Sequence, residues 1–288
     1  MSANLDRLNP ELLIIGRGPW ANKIESDVKE NLSEIHPKNI AAREVLSLRQ
    51  SELDALMSKS IIWIATIPRL QLDLLEKLVH CEIKIIVEKP IAVTKEEINR
   101  FGKLLKEARF QIFVSEPWTN AEIWHEGKKI FREPVKSIEI ERFGENQRDY
   151  IFPPQDWLPH DIYLLYDTFG KDFTEFRDLK SSWSEGNKKL ALNFKINEGI
   201  SVSMRGGYSQ MPRSAFWNVT MLDGSTYEIN FVQKEIIFNG AGEYKRTERQ
   251  SRGKSPISEF LSSTLRAIES CPIGDLLFLY DSLLIPNV

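Results

Sequence analysis

Four short apolar runs punctuate the first 115 residues: ELLIIG (11–16), SIIWIAT (60–66), EIKIIVE (82–88) and QIFVS (111–115). Their apolar residues are consecutive, as in strands buried on both faces. Between them lie segments with helical spacing. In TKEEINRFGKLLKEA, Ile98, Phe101, Leu104, Leu105 and Ala108 share one face. Thr94 followed by Glu97, and Ser51 followed by Asp54, carry the start signal of a capped helix. Strand–helix alternation of this kind predicts a parallel sheet covered by helices.

After about residue 120 the period changes. KSIEIER, KLALNFKI, ISVSMR, AFWNVTML, STYEINF and KEIIFN alternate apolar with polar positions, the signature of a sheet with one wet face. Asp223-Gly224 predicts a tight hairpin between two of them. A helix is expected near 156–170, and two more after Ser255-Pro256, with the last 30 residues packing on that sheet or back on the first half. The fold class predicted is α/β. A doubly wound parallel sheet occupies residues 1–118, and residues 119–288 form an α+β domain with an open, mostly antiparallel sheet.

Composition narrows the partners. With 38 basic and 41 acidic residues the net charge is −3, so no global pull toward nucleic acid or anionic lipid is expected. The densest basic cluster, Lys245, Arg246, Arg249, Arg252 and Lys254, reads as a solvated loop. The N-terminus has no basic region ahead of its short apolar run, and no stretch is long enough to cross a bilayer. Cys81 and Cys271 are too few for a disulfide framework or a cysteine zinc site, and the His at 36, 80, 125 and 160 lack ligand spacing. A cytoplasmic protein without a metal, without membrane or nucleic-acid partners, is the expectation.

Two places along the chain carry chemistry. The first strand runs into Gly16-Arg17-Gly18-Pro19-Trp20-Ala21, a G-x-G-x-x-A turn ahead of a helical pattern. Gly16 permits the turn, Gly18 lets a pyrophosphate approach the backbone, and Ala21 lets helix and strand pack closely. Pro19 is tolerated in the first helical turn. At a strand-to-helix junction of a parallel half this predicts dinucleotide binding at a helix N-terminus. If NIAAR is the second strand, Arg43 stands where an acid would otherwise take the adenosine ribose, with Glu44 beside it, which leans toward NADP over NAD. The alternative is that both are surface charges.

The third apolar run ends in Glu88-Lys89-Pro90. Lys89 lies at the carboxyl end of a parallel strand, where ligands bind in such sheets, and the following proline restricts how it projects. A fixed ammonium there polarises a substrate oxygen; the plain alternative is a lysine leaving the sheet into solvent. In the second half, Asp156 and His160 stand four apart at the front of LPHDIYLLYDTFG, sharing a face if the helix has begun by 156. A histidine near neutrality donates or accepts a proton, and a carboxylate orients it. The competing reading is a helix cap and a core histidine. Trp118, Trp157 and Tyr163 are candidates for an apolar wall, though ordinary packing accounts for each singly.

G-x-G-x-x-A, then E-K-P, then D-x-x-x-H, with IIWIATIP, SELDALM and VSEPW in order between them, resembles the Gfo/Idh/MocA family of NAD(P)-dependent oxidoreductases. The resemblance implies a Rossmann domain followed by an α/β domain whose open sheet makes homo-oligomer contacts. It implies hydride exchange at a carbinol or carbonyl carbon of a small, polar, sugar-like substrate. Lys89, Asp156 and His160 would be catalytic, and Gly16, Gly18, Pro19, Trp20, Ala21, Arg43, Thr66, Pro68, Glu88 and Lys89 would line the cofactor. The sequence departs from the family at Tyr163, where an Asp is common, at Gln71, where a His is common, and at IFPPQ ahead of Asp156. It is also short around its second strand. A non-catalytic nucleotide- or sugar-sensing protein, or an imine or enoyl reductase on the same fold, are the competing readings.

Overall fold

The computed structural model describes residues 11–57, 60–145, 148–170, 173, 177–196, 199–240, 242–248 and 255–267. Two compact units result. Among the described residues, one comprises 11–117 with 255–267, and the other 118–248.

The first unit is a parallel sheet with helices on both faces. Its elements are β1 (Glu11–Ile15), α1 (Pro19–Asn31), β2 (His36–Ile40), α2 (Ala42–Ser47), α3 (Gln50–Met57), β3 (Ser60–Ile64), α4 (Pro68–Lys77), β4 (Lys84–Glu88), α5 (Lys95–Glu107) and β5 (Gln111–Ser115). The strand order is β2-β1-β3-β4-β5, parallel throughout. A six-stranded dinucleotide fold runs 3-2-1-4-5-6; the order here is that one without the strand outside β2. This accounts for the compressed second-strand region.

β2 sits earlier than NIAAR predicts, ending at Ile40, and Ala42 already opens α2. The misplacement has a physical origin. β2 is an edge strand, only partly buried, and carries Pro37, so no apolar run marks it. Ser51 likewise lies inside α3. The helix starts one residue earlier, and the Glu52 carboxylate accepts from the Arg49 backbone N–H at 2.9 Å. The start of α5 is as predicted: Thr94 Oγ1 accepts from Glu97 N–H at 3.1 Å, while the Glu97 carboxylate reaches back to Val93 N–H. Its Ile98, Phe101 and Leu104 are buried.

The helix after Ser255-Pro256 packs back on this first half. Ile257, Phe260 and Leu261 join Leu12, Ile14, Ile24, Val28 and Trp63 in one core. Lys84 holds its far end, donating to the carbonyls of Thr264, Leu265 and Ala267 at 3.1, 2.9 and 2.7 Å. A cation at the carbonyl end of a helix opposes the negative pole of its dipole. The second helix expected there lies outside the described residues.

In the second unit, α6 (Glu122–Gly127) precedes β6 (Val135–Gly144), α7 (Pro153–Trp157) and α8 (Pro159–Phe169). Then come β7 (Arg177–Ser184), β8 (Lys189–Ile196), β9 (Ile200–Tyr208), β10 (Ser214–Met221), β11 (Thr226–Asn230), β12 (Glu235–Gly240) and β13 (Glu243–Glu248); α9 (Pro256–Arg266) is the helix that returns to the first unit. The eight strands form one sheet ordered β13-β12-β11-β10-β6-β9-β8-β7, antiparallel except between β6 and β9. Alternation sorts the faces. Ile138, Ile140, Val202, Met204, Leu192, Trp217 and Val219 point into the core, while Ser137, Glu139, Ser201 and Ser203 are more exposed. Asp223-Gly224 turns the β10–β11 hairpin, with Gly224 at φ 88°, a conformation that favours glycine.

Two strands carry no predicted signal. β7 is exposed along nearly its whole length, so RDLKSSWS shows no apolar alternation. β13 falls on the basic cluster. Lys245 and Arg246 sit in an edge strand instead of a loop, where Arg246 pairs with Glu235 at 2.5 Å. Arg249, Arg252 and Lys254 lie outside the described residues.

Candidate active site

In the first unit, the sequence-predicted residues gather along one edge of the sheet. Because β1 to β5 are parallel, their carboxyl ends share a side, and ligands bind there in doubly wound sheets. β1 delivers the Gly16–Ala21 turn. A Cβ on Gly16 would lie 2.3 Å from the Ala65 carbonyl oxygen and 3.3 Å from Ala21 Cβ, so only glycine lets β1, β3 and α1 approach this closely. A Cβ on Gly18 would meet nothing within 4 Å, leaving the open side of the turn free for a phosphate. Gly18 is also the N-cap of α1, with no side-chain cap bond, and Pro19 occupies the first turn. These are the features an anion cradle at a helix N-terminus requires. Thr66 and Pro68 follow the end of β3, with Pro68 opening α4. Arg43 falls in the first turn of α2, just past the end of β2. Its neighbour Glu44 pairs with Arg17 of the glycine turn at 2.9 Å, between two exposed side chains.

At the end of β4, Glu88 is buried and Lys89 half-buried. Trp63 Nε1 donates to Glu88 Oε1 at 2.8 Å. Burial pushes the Glu88 carboxyl above its ordinary range, against the opposing pull of hydrogen bonds from Trp20 and Trp63 and of the Lys89 charge. Gln71, fully buried on α4, fastens the same stretch. Its amide oxygen accepts from Glu88 N–H at 2.8 Å, and its Nε2 donates to the carbonyls of Glu88 at 3.0 Å and Pro90 at 3.3 Å. Both ends of one amide thus hold the backbone that presents Lys89. The Lys89–Pro90 peptide bond is cis. β1 and β4 stand two strand spacings apart, about 10 Å.

In the second unit, Asp156 ends up on α7 and His160 on α8, both buried. Leu158 joins the two helices and stays in the right-handed helical region, so the near-continuous backbone keeps the four-residue spacing. Asp156 forms an ion pair with Arg148 at 3.2 Å. The buried Gln155 side chain accepts from Phe152 N–H, fixing the entry to α7. Trp157 packs on the sheet: a Cβ on Gly144 would fall 2.0 Å from its ring. Tyr163 is buried.

Three residues here escape a motif reading. Arg142 on β6 is fully buried and pairs bidentately with Asp161, at 2.6 and 2.8 Å, and Asp161 also accepts from Trp217 Nε1 at 2.8 Å. Arg213, just before β10, packs over the rings of Trp118 and Trp157. For Arg142 a signal existed. In IEIER it takes the inward register set by Ile138 and Ile140, a charge where the alternation demands an apolar side chain.

Residues 26–116 match the oxidoreductase family with an NAD-binding Rossmann fold, Gfo/Idh/MocA. The match covers about a third of the chain and is a likeness of that segment to the family. Solved structures extend the likeness of fold over nearly the whole chain. The UDP-N-acetylglucosamine 3-dehydrogenase GnnA of Acidithiobacillus ferrooxidans is 13% identical, with a TM-score of 0.75 and 95% of each chain covered. A dehydrogenase from Chromobacterium violaceum is 13% identical at a TM-score of 0.74, covering 95% of this chain and 93% of that one. A Gfo/Idh/MocA family oxidoreductase from Vibrio cholerae is 13% identical at a TM-score of 0.69, covering 96% and 95%. No curated protein sequence matches the chain. Among the described residues no helix is long and apolar enough to cross a membrane, and no cluster of His, Cys, Asp or Glu is placed to hold a metal ion.

Proposed function

We propose that the chain is an NAD(P)-dependent dehydrogenase or reductase acting at a CH–OH or carbonyl carbon of a small, polar, sugar-like substrate. The observation that carries this reading is the shared sheet edge. There a turn open at Gly18 and closed at Gly16 lies on the same side as a lysine held by Gln71 and Glu88. Gly16, Gly18, Pro19, Trp20 and Ala21 would hold the pyrophosphate of the dinucleotide, Thr66, Pro68 and Glu88 its nicotinamide side, and Arg43 its adenosine end. The bound dinucleotide supplies hydride exchange at its nicotinamide ring.

The chain's own part is electrostatic and protonic. Lys89 places a positive charge against the substrate oxygen, stabilising the charge that grows there as the carbon changes hybridisation. His160 takes the hydroxyl proton in the oxidative direction and returns it in the reductive one. Asp156 orients the imidazole, while its own pairing with Arg148 holds the carboxylate in place. The outer face of the eight-stranded sheet, polar along β6 and β9, is the surface through which two copies would pair.

The test is turnover of NADH and NADPH, followed at the nicotinamide absorbance, over a panel of sugars, uronates and nucleotide sugars. Lys89→Ala should lower kcat by roughly 10²- to 10³-fold while nicotinamide fluorescence still reports cofactor binding. Cofactor binding with no turnover of any substrate, and a Lys89→Ala variant that leaves sugar affinity unchanged, would favour a sensor instead. Comparing NADPH with NADH in Arg43→Ala tests the lean toward the phosphorylated cofactor.

A further inference from the structure

Near α7 in the second unit, three arginines lie close to the indoles of Trp118 and Trp157 or to Asp156. Arg148 is paired with Asp156, and Arg142 with Asp161. Among the described residues, Arg213 has no ion pair. Its guanidinium carbon lies 5.8 Å from the centroid of the Trp118 ring and 5.2 Å from that of Trp157, so indole faces are its packing partners. Arg142 approaches the same Trp118 ring, at 5.7 Å.

Two further features belong to this arrangement. Arg142 is fully buried, and while Nε and Nη2 are taken by Asp161, its Nη1 has no hydrogen-bond partner. An unmet buried donor of this kind costs free energy unless something accepts from it. Arg213 stays exposed to solvent while its inner side lies against the indoles; that partial desolvation, and then the positive charge of Arg142, pull it below the ordinary range of a guanidinium. Stacking on indoles offsets part of that cost, but stacking engages a guanidinium's face and leaves its in-plane N–H donors free. Those donors match the geometry of a carboxylate or phosphate.

We propose that Arg213, stacked between Trp118 and Trp157 and backed by Arg142, is the binding site for an oxyanion carried by the substrate, a carboxylate or a phosphate ester. The location makes it a specificity element. Trp157 directly follows Asp156 and precedes His160 by three residues, so an oxyanion on Arg213 sets the rest of the substrate beside that pair. This deepens the dehydrogenase reading and rests on it for the identity of the ligand as substrate. The anion site itself stands on the second unit alone.

Isothermal titration of the full chain at low ionic strength with inorganic phosphate, D-glucuronate and neutral D-glucose tests the proposal. At least one anion should bind saturably and at least about tenfold more tightly than glucose, and Arg213→Met should weaken it about tenfold or more, with Arg213→Lys recovering part. Saturation by phosphate alone assigns a phosphate ester, and by glucuronate alone a carboxylate. Equal anion affinity in Arg213→Met and the parent chain overturns the site, as does glucose binding as tightly as either anion, or no saturable anion binding. NADH fluorescence and turnover on the same preparations separate the two claims. Arg213-dependent anion binding in a chain that neither binds NADH nor turns over keeps the site and removes the dehydrogenase. Turnover with an anion affinity indifferent to residue 213 does the reverse.

Discussion

The two sheets bury polar groups in opposite ways. In the five-stranded sheet the interiors of β1, β3, β4 and β5 are apolar, and the polar chemistry is held at the carboxyl ends, where Glu88, Lys89 and the glycine turn lie. In the eight-stranded sheet a fully buried Arg142 sits in mid-sheet, answered by Asp161 from α8 and by the Trp217 indole. A sheet covered on both faces has no wet side to which a charge can be turned, so charge is confined to its rim. A sheet with one wet face carries an alternating pattern, and a single inward charge can be matched by one partner from the covering helix. The difference teaches where each unit is vulnerable: the first at close backbone approach, the second at a single ion pair.

Arg142→Met should produce the largest effect, about 3–5 kcal/mol in urea unfolding, because it strands a buried carboxylate. Adding Asp161→Leu to it should recover much of that loss. If the double variant is no better than the single one, the pair does not act as a unit and the contrast between the sheets fails. Gly16→Ala is the matching break in the first sheet. Its methyl would press on the Ala65 carbonyl, costing about 1–3 kcal/mol and abolishing NADH-dependent fluorescence enhancement.

Glu88 sharpens the comparison through pH. Its folded-state pKa is raised, so between the unfolded value, about 4.3, and the folded one the native protein holds a proton that the unfolded chain has released. The stability it contributes is full below the unfolded pKa and is lost as pH rises through the folded one. Glu88→Gln should flatten the fall in unfolding free energy with rising pH over that window, and an unchanged slope would show the carboxyl to be solvated. Smallest is Thr94→Ala, which removes the N-cap of α5 and should cost about 1 kcal/mol in the same assay.

Legibility followed the same division. β1, β3, β4 and β5 were readable because strands buried twice write unbroken apolar runs, and the turn between β1 and α1 was readable because close approach there excludes every side chain but hydrogen. β2 and β7 were illegible for the converse reason: a partly or wholly exposed edge strand writes no pattern. The basic run at Lys245 and Arg246 hid β13, since charge on an edge strand resembles charge in a loop. Among the candidate residues, Asp156 and His160 were singled out by their spacing together with the resemblance, and that spacing survives the break between α7 and α8. Asp161 was invisible, since its partners Arg142 and Trp217 lie 19 and 56 residues away in sequence. Gln71 was noticed only as a departure from the family; that it clasps the backbone at both Glu88 and Pro90 needed coordinates.

The return of α9 to the first unit bears on biosynthesis. A nascent chain emerging from the ribosome as far as β5 has all five parallel strands but not Phe260, whose ring stands 5.9 Å from Trp63, nor the helix end that Lys84 grips. Trp63, Ile24 and Val28 then wait with an uncovered greasy flank while some 140 further residues are translated. The chain order therefore puts the last apolar cover of the first unit after the whole eight-stranded sheet.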